Sequence, residues 1–435
     1  MRARTLIVGG GVMGNSIALA AARRFDPLRE PVVLLERGSL GVGSSGSSGA
    51  ILRQHYASRT IASMARDSLR VYSSFESRTG RGLGYMRPGV LTLAGPSRPE
   101  TIERLERNVA QHREMGIDTE IIDAPRIRQL VPQIEVDDRA IGAWEPHGGY
   151  VDPALTVQQF AALARTYGAV TRMGVEIQSI QVDGGRVIGA ETSEGHYESD
   201  QVVIVAGAHC LPLLEQLGTQ LPLKVARVEQ RFYSMPGEDR EDGDGRLGET
   251  SGWNAVNLDD PLESERDRMG GGDDPIEGLP HPVILDLEYG FYTRPEPLHG
   301  RTRVCPIGYD AAKIYDAPAS GDTPCEEQAA WAREVLCKRL PIYRDEPELE
   351  AHVSWFPLTP DGRAVIGPVP DVEGAYIAAG FADHGFKLAP AVGEGVAQML
   401  AGEPVAAFDA SYFDPARYRG EGALERQDWS GQLYL

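Results

Sequence analysis

Close to the start of the chain an apolar strand runs into glycines, Leu6-Ile7-Val8-Gly9-Gly10-Gly11-Val12-Met13-Gly14, and an alanine-rich segment follows. This spacing is that of a dinucleotide-binding turn. Gly9 permits the tight turn, Gly11 lets the backbone approach a pyrophosphate, and Gly14 lets the next helix pack closely on its strand. The N–H groups at the helix start, at Val12 and Met13, then face the phosphates. A second strand, Val32-Val33-Leu34-Leu35, ends in Glu36, about 20 residues beyond the last glycine, where a carboxylate accepts from ribose hydroxyls. Glu36 disfavours a 2′-phosphate, and Arg37 stands next to it. These residues leave FAD and NAD equally open.

Two other stretches carry residues fit for chemistry. After Glu36 comes a run of small residues, Gly41-Val42-Gly43-Ser44-Ser45-Gly46-Ser47-Ser48-Gly49-Ala50, leading to Ile51-Leu52-Arg53-Gln54-His55-Tyr56. Taken alone such a run is a flexible linker. Directly after a ribose-binding strand it reads as a loop lying along a cofactor, with Ser44, Ser45, Ser48, Gly49 and Ala50 as the contacts. Arg53 and Tyr56 stand where the loop enters a helix expected to end near Thr79; spacing alone leaves Arg53 equally well a surface ion pair. The other stretch is Gly380-Phe381-Ala382-Asp383-His384-Gly385-Phe386-Lys387. It precedes a helix expected to reach about Leu400, so its backbone places partial positive charge where a reduced flavin would carry negative charge.

The elements between these stretches have to bring them together. Val90-Leu91-Thr92-Leu93 alternates as a strand, and Ile102, Leu105 and Val109 repeat at helical spacing within 98–114. A turn at Gly148-Gly149 leads to a helix over 154–167. Several strands are expected over 170–203, with a hairpin turn at Asp183-Gly184-Gly185. Gln201-Val202-Val203-Ile204-Val205 is wholly apolar and runs into Ala206-Gly207-Ala208, as a buried parallel strand passing under a cofactor would. That second contact region lies far from the first, which is the interrupted pattern of FAD proteins. Strands are expected again at 283–285, 290–296 and 303–309, and a helix over 326–340 ends at Pro341. Between Pro236 and Pro280 the chain is acidic and glycine-rich, and it reads as a solvated insertion, with a lid over the substrate domain as the alternative.

Composition excludes several classes. A formal net charge of -20 and the lack of a basic stripe argue against nucleic acid. Only Lys224, Lys313, Lys338 and Lys387 are lysines, so the positive charge is nearly all arginine. The four cysteines form no C-x-x-C pair, which points away from zinc and from any other metal site and toward a reducing compartment. No apolar run is long enough to span a bilayer. Cytoplasmic residence without a signal peptide is the expectation.

Taken together, the glycine turn with Glu36, the Ser44 to Arg53 loop, Ala206-Gly207-Ala208, Thr359-Pro360-Asp361 and Gly380 to Lys387 resemble the D-amino-acid-oxidase-like FAD oxidoreductase superfamily. Within it they are most similar to the branch of sarcosine oxidases and dimethylglycine dehydrogenases. The resemblance implies an α/β chain with a discontinuous Rossmann-like FAD-binding domain (1–80, 150–210 and 350–435). It also implies an α+β substrate domain with an antiparallel sheet (81–149 and 211–349). It adds Val175, Gly362, Gly380, His384, Gly385 and Phe386 to the cofactor contacts.

By the match to the sarcosine oxidases, Arg53 and Lys387 fall on the pair that holds a substrate carboxylate, with Tyr56 and His384 beside them. The implied reaction is oxidation of the C–N bond of a secondary or tertiary amino acid by hydride transfer to flavin N5, with oxygen or another acceptor taking the electrons. Primary amino acids, 2-hydroxy acids and a non-catalytic flavin subunit remain as alternatives. Two positions depart from the resemblance. Ser354 stands where the family attaches flavin to a cysteine, so FAD is expected to be non-covalent. Pro306 stands where it uses a lysine toward oxygen.

Overall fold

The computed structural model describes residues 2–236, 279–319 and 321–419, so nearly all of the acidic insertion read at 236–280 lies outside the described residues. Two large sheets dominate. The first has eight strands. Its middle is five parallel strands in the order Ala375–Ala379, Gly195–Ile204, Arg2–Val8, Val32–Glu36 and Val170–Met173. The central strands are apolar where both faces are covered, at residues 6–8, 32–35 and 202–204. The hairpin Ile177–Asp183 with Arg186–Thr192 and the strand Val365–Pro368 extend it antiparallel.

The helix Val12–Ala22 is buried at all of its 11 positions. It packs against the helices Pro153–Thr166 and Gly385–Ala401. Such burial on every side requires small residues where backbones meet. Ser16 Oγ donates to Ala389 O at 2.7 Å, and a side chain at Gly393 would strike that serine.

The second sheet has nine strands. Lys224–Ser234 lies between Arg301–Pro306 and Glu348–Leu358 and also pairs with the short Ile314–Tyr315, and Phe291–Glu296, Val283–Asp286, Val90–Ala94, Ile141–Glu145 and Glu120–Asp123 continue the sheet. It is antiparallel as expected except at one pair, Val90–Ala94 against Val283–Asp286, which runs parallel. Those strands come from the two separate segments that build this sheet. A strand delivered from a remote segment is not constrained to antiparallel entry as a hairpin is.

Glu348–Leu358 pairs along its length with Lys224–Ser234, within this second sheet. Two local expectations are corrected. The helix expected to run to Thr79 breaks at Ser74 into Arg59–Ser73 and Phe75–Thr79. The strand read through Ala208 stops at Ile204, and Gly207–His209 is a 3-10 turn.

Gly14 shows how tightly the first helix sits. A Cβ there would lie 2.0 Å from Gly9 O. Alanine is favoured over glycine inside a helix by about 1 kcal/mol, but a clash with fixed backbone cannot be relieved by a rotamer change. Gly14→Ala is therefore expected to destabilise the fold by about 1–3 kcal/mol net. Gly43→Ala, with nothing within 4 Å, is expected to melt as the wild type does. Thermal unfolding of both variants checks this, and equal melting temperatures would contradict it.

Candidate active site

A cavity of about 700 Å³ runs from the glycine turn to Lys387, between the two sheets. Around the glycine turn lie Gly9, Gly11, Val12, Glu36, Arg37, Val175, Ala206 and Gly207, while the Met13 side chain lies beside Gly385. Gly9 has φ 122°, and a Cβ there would be 2.5 Å from Val205 O, so the turn needs glycine. At the helix start the Val12 N–H donates to Ser45 Oγ at 3.0 Å, and a Cβ on Gly11 would lie 2.8 Å from the same oxygen. An oxygen acceptor thus already sits where a phosphate oxygen would be bound.

Glu36 does more than the sequence implied. Its Oε2 accepts the Gly10 N–H at 2.7 Å and its Oε1 the Gly38 N–H at 2.8 Å, so it clamps the loops on both sides. A carboxylate has about four acceptor sites, so capacity for ribose hydroxyls remains.

Ser44, Ser45, Ser48, Gly49 and Ala50 line the cavity along its length. The second sheet holds this loop. Ser44 Oγ donates to Trp355 O at 2.6 Å, Arg303 Nη1 donates to Ser47 O at 2.7 Å, and Arg294 Nη1 donates to Gly49 O. Both arginines are buried and share the carboxylate of Glu296. Burial pushes Glu296 up, but the attraction of Arg303, Arg294 and Arg301 outweighs it and holds the group far below the usual carboxylate range. None of these sheet-to-loop bonds was read from the sequence. Three non-glycine residues among those described have positive φ, and two of them, Ala50 at 45° and Ala382 at 52°, line this cavity. Such backbone is costly and gathers at functional sites.

At the other end Arg53, Asp383, Gly385, Phe386 and Lys387 meet. Arg53 comes from the loop after Ile51–Leu52, and Lys387 from the first turn of Gly385–Ala401; they are 2 % and 5 % exposed. Lys387 Nζ donates to Asp383 O at 3.0 Å. Burial, opposed by Asp383 and reinforced by Arg53, lowers Lys387 to about 7. Arg53 donates to His55 O, and its guanidinium lies 4.1 Å over the Tyr56 ring. Tyr56 Oη and His384 Nδ1 are 3.1 Å apart, and His384 Nε2 is 3.2 Å from Asp383 Oδ1. Burial lowers His384 to about 3, so the ring is neutral at ordinary pH.

Behind Arg53 stands a buried polar layer. The Gln54 N–H donates to Glu145 Oε2 at 2.7 Å, His112 Nε2 donates to Tyr56 O at 2.8 Å, and Asn108 Nδ2 is 3.3 Å from His55 Nε2. Burial raises Glu145 to about 7.

Not every residue singled out by sequence reaches the cavity. Gly14 packs under the turn, and Gly380 and Gly362, with φ 72° and 69°, shape turns outside the wall. Tyr56 and His384 stand behind Arg53 rather than in the wall. Asp383 was missed, although it lies within the quoted Gly380 to Lys387 stretch. Its signal was a carboxylate two residues before the glycine of a helix start. Ser354 is in the wall, with its hydroxyl accepting from Gln230 at 2.7 Å. Pro306 ends a strand opposite Phe291 and is not in the wall.

The chain is 26% identical over 421 residues to 4-methylaminobutanoate oxidase (formaldehyde-forming) of Paenarthrobacter nicotinovorans, which covers 96% of this chain and 46% of that protein. It is 23% identical over 437 residues to mitochondrial dimethylglycine dehydrogenase of Rattus norvegicus, covering 96% and 45%. The chain therefore spans just under half the length of these relatives. Among solved structures, L-proline dehydrogenase from P. horikoshii superposes with a TM-score of 0.78 at 22% identity, over 96% of this chain and 98% of that one, which shows a shared fold. The model of the FAD dependent oxidoreductase family matches residues 4–254 and 267–399. With the glycine turn, the acid and the lined cavity in place, the chain belongs to the FAD dependent oxidoreductase family.

Proposed function

We propose that this chain oxidises the C–N bond of a secondary or tertiary amino acid whose carboxylate is held between Arg53 and Lys387. One observation carries the reading: two basic side chains from distant segments, both buried, stand in the wall at the same end of an FAD-sized cavity. Arg53 and Lys387 bring two positive charges against the single carboxylate of Asp383, and a substrate carboxylate balances the second. The relatives named for methylaminobutanoate and dimethylglycine support an N-alkylated substrate.

FAD, when bound, supplies the hydride acceptor. The chain's own residues bind and orient. Gly9, Gly11, Val12 and Met13 would hold the pyrophosphate, Glu36 the ribose, and the loop from Ser44 to Ala50 the rest of the cofactor. Arg53 and Lys387 fix the substrate's α-carbon. Tyr56 and His384 act as positioning residues, because one packs under the Arg53 guanidinium and the other braces that tyrosine. In this reading the eight-stranded sheet and its helices form the FAD-binding part, and the nine-stranded sheet forms the substrate part.

Two further features support finer statements. No cysteine among the described residues lines the cavity, which supports non-covalent FAD. The charge of Arg303 is engaged by Glu296, Ser47 O and Gln230, and Pro306 carries none, which supports slow reaction with oxygen and another electron acceptor in its place. All four cysteines are free, as suits a reducing, cytoplasmic setting. Among the described residues no helix is long and apolar enough to cross a membrane.

Acid precipitation of the yellow protein is expected to leave FAD in the supernatant. Flavin remaining with the pellet would contradict the non-covalent reading.

Arg53→Met and Lys387→Met are each expected to retain FAD yet lose about 2–5 kcal/mol of carboxylate binding, because the substrate anion loses a buried partner. The wild type should also show a pH dependence. Lys387 is lowered to about 7, and a bound carboxylate raises it again. Binding therefore takes up a proton: affinity is full below about 7 and falls above it, by at most about tenfold per pH unit. Half-saturation of anaerobic flavin reduction, measured from pH 6 to 9, checks both points. Unchanged half-saturation in either variant would remove that residue from the site.

A further inference from the structure

Three carboxylates line the cavity: Glu36, Glu176 and Asp383. The first two belong to the nucleotide end. Glu36 ends the ribose strand, and Glu176 follows Val175, whose N–H donates to Glu36 O at 3.0 Å. Asp383 alone stands at the end with Arg53 and Lys387. Its side chain keeps 20% of its surface although its neighbours Ala382 and His384 are buried.

Asp383 and Lys387 attract each other through their charges, but no hydrogen bond joins the carboxylate to the lysine. The lysine donates to the Asp383 backbone carbonyl. The carboxylate's neighbours are His384 Nε2 at 3.2 Å and the Tyr309 hydroxyl at 3.4 Å, both on Oδ1. A carboxylate offers about four acceptor sites. Burial pushes the group up, but the attraction of neighbouring basic groups, Lys387 and Arg53 among them, outweighs it and leaves Asp383 below its ordinary value, so it is an anion at neutral pH.

We propose that Asp383 recognises the cationic nitrogen of the substrate, so that the cavity selects zwitterionic amino acids over 2-hydroxy acids and other simple carboxylates. This rests on the carboxylate reading of Arg53 and Lys387. The two charges of an amino acid are separated by a single carbon. The wall presents the matching arrangement: two cations with one anion beside them. A 2-hydroxy acid in the same place brings a carboxylate toward Asp383 with no cation to offset it, and that repulsion is the discriminating element.

The test uses the FAD-loaded protein and two probes of equal shape, N-methylglycine and methoxyacetate, in which an ether oxygen replaces the nitrogen. Anaerobic titration follows flavin bleaching for the first and the shift in flavin absorption for the second. The wild type is expected to bind N-methylglycine at least tenfold more tightly. Asp383→Asn is expected to weaken N-methylglycine tenfold or more while leaving methoxyacetate unchanged or tighter, and Asp383→Glu to restore part of the preference. FAD content and thermal melting of each variant are measured alongside.

Parallel weakening of both probes, or no change for N-methylglycine, would overturn the proposal while leaving the carboxylate clamp standing. Equal wild-type affinities would overturn it without recourse to any variant. If the wild type binds neither probe, the clamp itself fails and the role of Asp383 falls with it.

Discussion

Charged side chains taken out of water must find partners, and at one end of this molecule's cavity that requirement orders the surroundings. Arg53 and Lys387 are buried there with Asp383 between the strand Ala375–Ala379 and the helix that follows. Desolvating an ion costs several kcal/mol even after relaxation. The chain offsets this with aligned neighbours: the His55 carbonyl and Tyr56 ring for Arg53, the Asp383 carbonyl for Lys387, and a neutral histidine beside the aspartate. Behind them Glu145 holds the Gln54 N–H and His112 holds the Tyr56 carbonyl, so the Arg53 loop is fixed through its backbone. Precision of this kind is what a positioned reaction needs.

The same logic couples the two sheets. The loop over 44–49 belongs to the nucleotide turn by sequence, yet its carbonyls are held by Arg294 and Arg303 of the other sheet. Those arginines are themselves tied to the buried carboxylate of Glu296. Breaking one member of such a cluster leaves the others uncompensated. The surface that faces the cofactor cavity and the sheet above it are therefore one electrostatic unit, although the segments that make them are far apart in the chain.

How much of this was legible in the sequence depended on range. The glycine turn, Glu36 and the helix beginning at Gly385 were readable because local geometry dictates residue type there: Gly9 needs a positive φ, and Gly14 has no room for a side chain. The parallel pairing of Val90–Ala94 with Val283–Asp286, and the full-length pairing of Glu348–Leu358 with Lys224–Ser234, were not readable. Strand partners from remote segments leave no trace in either strand's own pattern. Nothing in the local pattern around Asp383 ties it to Arg53; only the fold shows that it shares a wall with two cations. The strained backbone at Ala50 and Ala382 was equally silent, since alanine gives no sign of a left-handed conformation.

Function here turns on what binds beside Arg53 and Lys387 in the cavity wall. The most direct measurement is anaerobic mixing of the FAD-loaded protein with N-methyl amino acids, with the same amines lacking the carboxylate, and with 2-hydroxy acids, followed by flavin absorption. Bleaching by N-methyl amino acids, with little or none from the other two sets, is the predicted result. Equal bleaching by amines without a carboxylate, or bleaching by 2-hydroxy acids alone, would contradict it.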